Sequence, residues 1–144
     1  MSNVRPGVIY TDGACLKNPG PAGAGFVIYD QKGTPLTEGS IPLGQGTNNI
    51  AEYSAVIAAL EAAHSLSLTH LVIRSDSELL VKQMNGQYRV KDAQLRRLHL
   101  QVRELMPRFG KVVFEHIRRM HNERADELAG EAAKVSAKTK AGVS

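Results

Sequence analysis

Four carboxylates in this 144-residue chain sit where an apolar or small residue would be expected. Asp12 closes the strand-favouring run Val8-Ile9-Tyr10-Thr11, and Asp76 closes a similar run, Leu71-Val72-Ile73-Arg74-Ser75. Glu52, placed in the first turn of an Ala-rich helix, shares an apolar face with Val56 and Ala59 at i+4 and i+7. Glu61 falls on the opposite, solvent side of that helix. Asp126 lies beside the apolar stripe of the last helix, near its N-terminus. Taken singly, each has an ordinary explanation: turn or cap residues for Asp12 and Asp76, favourable helix-dipole charges for Glu52 and Asp126. Brought together, they would repel one another and retain protons unless cations compensated. With one cysteine and no clustered histidines, all-oxygen ligation favours Mg²⁺ or Mn²⁺ over zinc. Carboxylates holding two such ions roughly 3.5–4 Å apart suit in-line displacement at phosphorus.

Convergence of the four requires a particular set of elements. The first third reads as three strands, residues 7–12, 24–30 and 35–42, the last two joined by a hairpin carrying the turn residue Gly33. "TNNIAEYSAVIAALEAAHSL" is a helix started by Asn48 or Asn49 as cap. "HLVIRSD" is a fourth strand, feeding the short helix "SELLVKQMNG", which Asn85-Gly86 ends. Asp92 caps a further helix with the stripe Leu95, Leu98, Val102 and Leu105, and "KVVFEHI" is a fifth strand. "NERADELAGEAAK" is a final helix, capped by Asn122 and burying Ala125, Leu128, Ala129 and Ala132. This order predicts a mixed α/β sheet in which a right-handed crossover sets strand four parallel to strand one. Asp12 and Asp76 then end neighbouring parallel strands, where sites form in open α/β sheets.

Length and composition predict one domain over residues 1–133 and a disordered basic tail, "KVSAKTKAGVS", over 134–144. A single cysteine excludes an internal disulfide framework, and no apolar run is long enough for a membrane span. The expectation is a cytoplasmic monomer with no membrane association. The net charge is +4, but Lys82 to Arg124 holds eleven Lys or Arg against four acids. That asymmetry fits contact with phosphates, and equally a solvated basic face.

The segments "YTDGACLKNPGPAGAGFVI", "TNNIAEYSAVIAAL", "IRSDSELLVKQMNG" and "HNERADELA", in this order from about Val8 to about Ala133, resemble the successive motifs of type 1 ribonuclease H. The resemblance implies a five-stranded mixed sheet of order 3-2-1-4-5 flanked by helices. It implies metal-dependent hydrolysis of the RNA strand of an RNA–DNA hybrid, leaving 5′-phosphate and 3′-hydroxyl ends. Asp12, Glu52, Asp76 and Asp126 take the positions of the family's metal ligands. Asn18, Asn48 and Asn49, with backbone groups from Gly13 to Cys15, take substrate positions. Short polar groups there would meet 2′-hydroxyls across a wide minor groove.

This chain departs from many bacterial members at three points. It has no Trp and passes from "NGQYRVKD" straight into the next helix, as in compact members without the basic handle. Lys82, Arg89, Lys91, Arg96 and Arg97 are the expected substitutes for that grip, among which Lys82 and Arg89 are the candidate substrate contacts. Glu78 stands where a Gln often follows the third acidic motif. "EHIRRMHNERAD" is too short for the longer histidine-bearing loop, so His121 is the nearest candidate for a catalytic histidine, against a plain helix-entry role. The alternatives to a hybrid-specific nuclease are a relative that also cuts double-stranded RNA and a weakly active nucleic-acid-binding module. The second gains nothing from a set of mutually repelling acids.

Overall fold

The computed structural model describes residues 3–142, with strands β1 (Pro6–Cys15), β2 (Gly20–Tyr29), β3 (Pro35–Gly46), β4 (His70–Ser75) and β5 (Lys111–His116). Helices α1 (Asn48–Ser65), α2 (Glu78–Met84), α3 (Ala93–Leu105) and α4 (Glu123–Gly142) complete it. The strands form one sheet in the order β3-β2-β1-β4-β5. β1, β2 and β3 pair antiparallel, whereas β4 lies parallel to both β1 and β5. The crossover through α1 therefore places β4 beside β1, with Thr11 opposite Ser75. Asp12 and Asp76 follow directly at the same end of the sheet.

Strand alternation divides the two faces. Phe26 and Ile28 of β2, Ile9 of β1, and Leu71 and Ile73 of β4 enter a core closed by α1 through Tyr53, Val56 and Leu60, and by α3 through Leu95, Val102 and Leu105. Gly23 and Gly25 of β2 point the other way, toward α4. Among the described residues, no helix is long and apolar enough to cross a membrane.

Two sequence expectations fail at helix ends. The α1 cap is Thr47, not Asn48 or Asn49. Thr47 is extended (φ −119°, ψ 167°) and its hydroxyl accepts the Ile50 N–H at 3.2 Å, while both asparagines are already helical and exposed. The tail expected to be disordered from residue 134 instead continues α4 to Gly142. Its small residues let the helix lie close on β2 and β3. Ser136, only 3% exposed, donates to the Ala22 carbonyl at 2.7 Å and accepts the Leu43 and Gly44 N–H groups at 3.1 and 3.0 Å. Val143 and Ser144 of that tail lie outside the described residues.

Candidate active site

The acids arrive from four elements. Asp12 is in β1 and only 4% exposed, and Asp76 sits at the junction from β4 into α2. That junction is tight: the buried Ser75 hydroxyl accepts the Ser77 N–H at 3.0 Å, and the Ser77 hydroxyl caps α2 by accepting the Leu80 N–H. Glu52 is the fifth residue of α1, one or two positions deeper than a cap at Asn48 or Asn49 implies and just past the first turn, so a simple first-turn dipole role does not explain it. Asp126 is in the first turn of α4. One carboxylate oxygen each from Asp12, Glu52 and Asp76 lies within 4.8 Å of the others. Asp126 stands outside this group of three but close enough for its charge to act on Asp12, and the Arg119 guanidinium lies 3.7 Å from Asp126 Oδ1.

Two glycines permit this approach. A Cβ on Gly13 would stand 2.3 Å from the Glu52 nitrogen and 2.4 Å from the Ala51 carbonyl carbon. Only a glycine there lets β1 touch the backbone of α1 beside Glu52. Gly25, which pairs with Asp12 in the sheet, does the same for α4: a Cβ would lie 2.5 Å from both the Ala125 oxygen and the Ala129 nitrogen.

The site holds more negative charge than its surroundings can neutralise. Burial pushes the Asp12 carboxyl up to about 8, with the charges of Asp76 and Asp126 adding to it and the Gly13 N–H partly opposing. Burial also holds Glu52 well above the usual carboxylate range, with the neighbouring Asp12 and Asp76 contributing. Glu52 Oε2 is buried with no hydrogen-bond partner. A buried lone-pair oxygen without a donor, beside acids whose burial and mutual charge disfavour the ionised form, fits divalent metal ligation.

The other candidate residues divide clearly. Gly13 N–H donates to Asp12 Oδ1 at 2.9 Å, and Asn18 Oδ1 accepts the Asn48 N–H at 3.2 Å. The half-buried Cys15 thiol points at the Lys17 and Gly46 carbonyls. Gly13 thus adjoins Asp12 and the α1 backbone at Glu52, Cys15 and Asn18 meet the chain at Gly46 and Asn48, and Asn49 is exposed beside Asn48 at the start of α1. Lys82 is not a free cation: it pairs with Glu78 at 2.7 Å and donates to the Tyr88 hydroxyl at 3.2 Å. Arg89 is exposed and has no side-chain partner among the described residues. His121 is exposed in a 3-10 turn, Arg119–His121, just ahead of α4, and its ring makes no hydrogen bond or ion pair among the described residues.

Sequence reasoning assigned Asn122 only a helix cap. Its backbone carbonyl does accept the Asp126 N–H, at 3.0 Å, but its side chain, 1% exposed, donates Nδ2–H to the Thr11 carbonyl at 2.8 Å. Asn122 therefore ties β1, one residue before Asp12, to the helical turn bearing Asp126. The pairing of Tyr53 with Gln83 was also missed, although Gln83 stands out as a polar residue among Leu80, Val81 and Met84 on the buried side of α2.

A 3-2-1-4-5 mixed sheet with acids gathered at its parallel strand ends defines the ribonuclease H-like class. The family model described as reverse transcriptase-like matches residues 10–132. Ribonuclease HI of Halobacterium salinarum is 45% identical over 123 residues, which cover 85% of this chain and 62% of that protein. The N-terminal ribonuclease H domain of a Mycobacterium tuberculosis protein superposes with a TM-score of 0.91 at 37% identity, covering 94% of this chain and 99% of that one. The LC11 ribonuclease H1 from compost, solved in complex with an RNA/DNA hybrid, gives 0.86 at 43% identity over 91% and 99% of the two chains. The chain belongs to the type 1 ribonuclease H family. It spans 62% of the halobacterial protein and 37% of the full mycobacterial one.

Proposed function

We propose that this chain is an endonuclease that hydrolyses the RNA strand of RNA–DNA hybrids, leaving 5′-phosphate and 3′-hydroxyl ends. The observation that carries this reading is the meeting of Asp12, Glu52 and Asp76 within 4.8 Å, with the charge of Asp126 acting on Asp12. Pure binding of a polyanion would gain nothing from such a cluster. The LC11 relative's complex with a hybrid supports the choice of substrate.

Asp12, Glu52, Asp76 and Asp126 would hold the metal, with Mg²⁺ the proposed ion and Mn²⁺ a substitute. When bound, such ions neutralise charge at the reacting phosphate and activate water. The protein's own contribution is preorganisation. The Gly13 N–H fixes one Asp12 oxygen, the Ser75–Ser77 junction fixes Asp76, and Asn122 sets the spacing of Asp12 and Asp126. Asn18, Asn48 and Asn49 would read 2′-hydroxyls and so direct cleavage to the RNA strand.

The test is one labelled RNA strand offered as hybrid, duplex RNA and single strand, with labelled duplex DNA alongside, each with Mg²⁺ or Mn²⁺. Internal cuts in the hybrid alone are expected. Equal cutting of duplex RNA would overturn hybrid selectivity, and no cutting of any substrate would overturn the enzymatic reading.

A further inference from the structure

The connection between α2 and α3, residues 85–92, has no regular structure: main-chain bonds from Asn85 to Tyr88 back to α2 close its first half, and side chains hold the Arg89 and Val90 carbonyls of its second half. The Tyr53 hydroxyl, 1% exposed, donates to Gln83 Oε1 at 2.6 Å. Gln83, 5% exposed, passes the contact outward by donating Nε2–H to the Arg89 carbonyl at 3.2 Å. Arg96 Nε donates to the Val90 carbonyl at 2.8 Å, and an Arg103 Nη donates to the Met84 carbonyl just before the turn, also at 2.8 Å. Gly86, at φ +77°, turns the chain where a side chain would strain it.

The cations here therefore have two uses. Arg96 and Arg103 each commit one donor to a main-chain carbonyl at the connection, while Lys82 is held on the surface of α2 by Glu78 and the Tyr88 hydroxyl. Arg89 and Lys91 emerge from it exposed, with no side-chain partner among the described residues. A guanidinium and an ammonium on a backbone fixed from the core are suited to a phosphate chain, since less conformational freedom is lost on binding.

We infer that residues 85–92 form a preset docking loop for the hybrid's phosphate backbone, with Arg89 and Lys91 as its contacts and the buried Tyr53–Gln83 pair as its positioning device. This rests on the ribonuclease H reading above. Tyr53 directly follows Glu52 on α1, so the same helical turn sets an acid at the metal site and the anchor of the loop. The distance from the cutting site to the grip is thereby fixed through the core.

The experiment measures hybrid affinity against salt in chelator, where nothing is cleaved, together with KM and kcat in Mg²⁺. The variants are Arg89→Ala/Lys91→Ala, Tyr53→Phe/Gln83→Leu, and all four changes combined. Losing two phosphate contacts should weaken binding roughly tenfold near physiological salt and flatten the log–log salt slope by about 1.8. Tyr53→Phe/Gln83→Leu should raise KM several-fold with kcat retained, because it removes both buried partners together and keeps the core filled. In that background Arg89→Ala/Lys91→Ala should add little. If the double core variant fails to fold, Tyr53→Phe alone serves as the background.

Unchanged affinity and slope for Arg89→Ala/Lys91→Ala would overturn the inference, as would an equal loss in both backgrounds. Wild-type protein that cleaves no hybrid would instead defeat the functional reading on which the inference rests.

Discussion

The acidic end of the sheet and the basic connection after α2 are built on opposite plans. The acids are placed by backbone: parallel register between β1 and β4, a glycine at each close approach, and helices meeting strands at main-chain contact. The connection turns back on α2 by main-chain bonds, but the stretch that carries Arg89 is placed by side chains that reach main-chain carbonyls. Regular elements can hold mutually repelling groups at short range because the strain is spread over whole strands and helices. A short irregular segment has no ladder of its own and borrows order from neighbouring side chains. Damage should therefore be abrupt at the acidic end and graded at the basic one.

The sharpest break is Asp12→Asn. Asp12 touches the influence of every other acid in the cluster, so removing its charge should cut kcat for hybrid cleavage by about a thousandfold or more while the fold is kept. Glu52→Gln, Asp76→Asn and Asp126→Asn should each fall steeply, with Asp126→Asn the mildest, since it stands outside the group of three and has an arginine at its side. Single-turnover cleavage at saturating Mg²⁺ checks this, and near-normal turnover of Asp12→Asn would remove the mechanism.

Gly25→Ala tests placement by backbone without touching a charge. Its Cβ would meet main-chain atoms of α4 at 2.5 Å, and main chain cannot rotate away. Overpacking of this kind costs about 1–3 kcal/mol, a fall in Tm of roughly 5 °C or more. Displacing α4 carries Asp126 with it, so cleavage well below Tm should also fall by roughly 10–100-fold. Loss of stability with full activity would show that Asp126 is not held to the sheet in this way.

The cost of gathering acids should also appear as a pH dependence. A carboxyl whose folded pKa lies above its unfolded value favours the folded chain fully below the unfolded pKa. That contribution is lost as pH rises through the folded pKa. For Asp12 this window runs from about 4 to about 8, and Glu52 acts in the same direction. Metal-free protein should lose Tm across this range, and Asp12→Asn should flatten the fall. Mg²⁺ should restore stability at the alkaline end by binding the ionised acids of the folded form. Melts from pH 4 to pH 9, with chelator or Mg²⁺, measure it; a flat metal-free profile would argue that the acids do not repel.

The acidic end was the more legible in sequence because its determinants are local. Asp12 and Asp76 are announced by the apolar runs they end, and one crossover rule sets those runs side by side. Parts fixed by distant partners stayed hidden. The Thr47 cap was overlooked beside two asparagines that are intrinsically good caps. Ser136 looked like tail because nothing near it in sequence reveals that Ala22, Leu43 and Gly44 lie against it. Ser136→Ala should cost about 1–3 kcal/mol by leaving these buried groups without partners, with kcat unchanged, as thermal melts and cleavage assays would show.

The smallest predicted effect separates charge that is present from charge that is available. The sequence offers Lys82 and Arg89 as equal substitutes for the missing handle, but the structure makes them unequal. Lys82 is bound at 2.7 Å by Glu78, and its ammonium lies 4.9 Å from the centre of the Tyr88 ring. Arg89 has only solvent to lose. Moving Lys82 onto a phosphate would break its existing contacts and leave Glu78 unpaired facing a polyanion, so little net attraction remains. Lys82→Ala should therefore change hybrid affinity by less than about twofold and leave the salt slope nearly constant, whereas Arg89→Ala alone should flatten it by about 0.9. Anisotropy titrations on a labelled hybrid in chelator at several salt concentrations distinguish them. Equal slopes lost by the two variants would mean that Lys82 leaves Glu78 for the substrate, and that the basic region is rebuilt on binding instead of being ready beforehand.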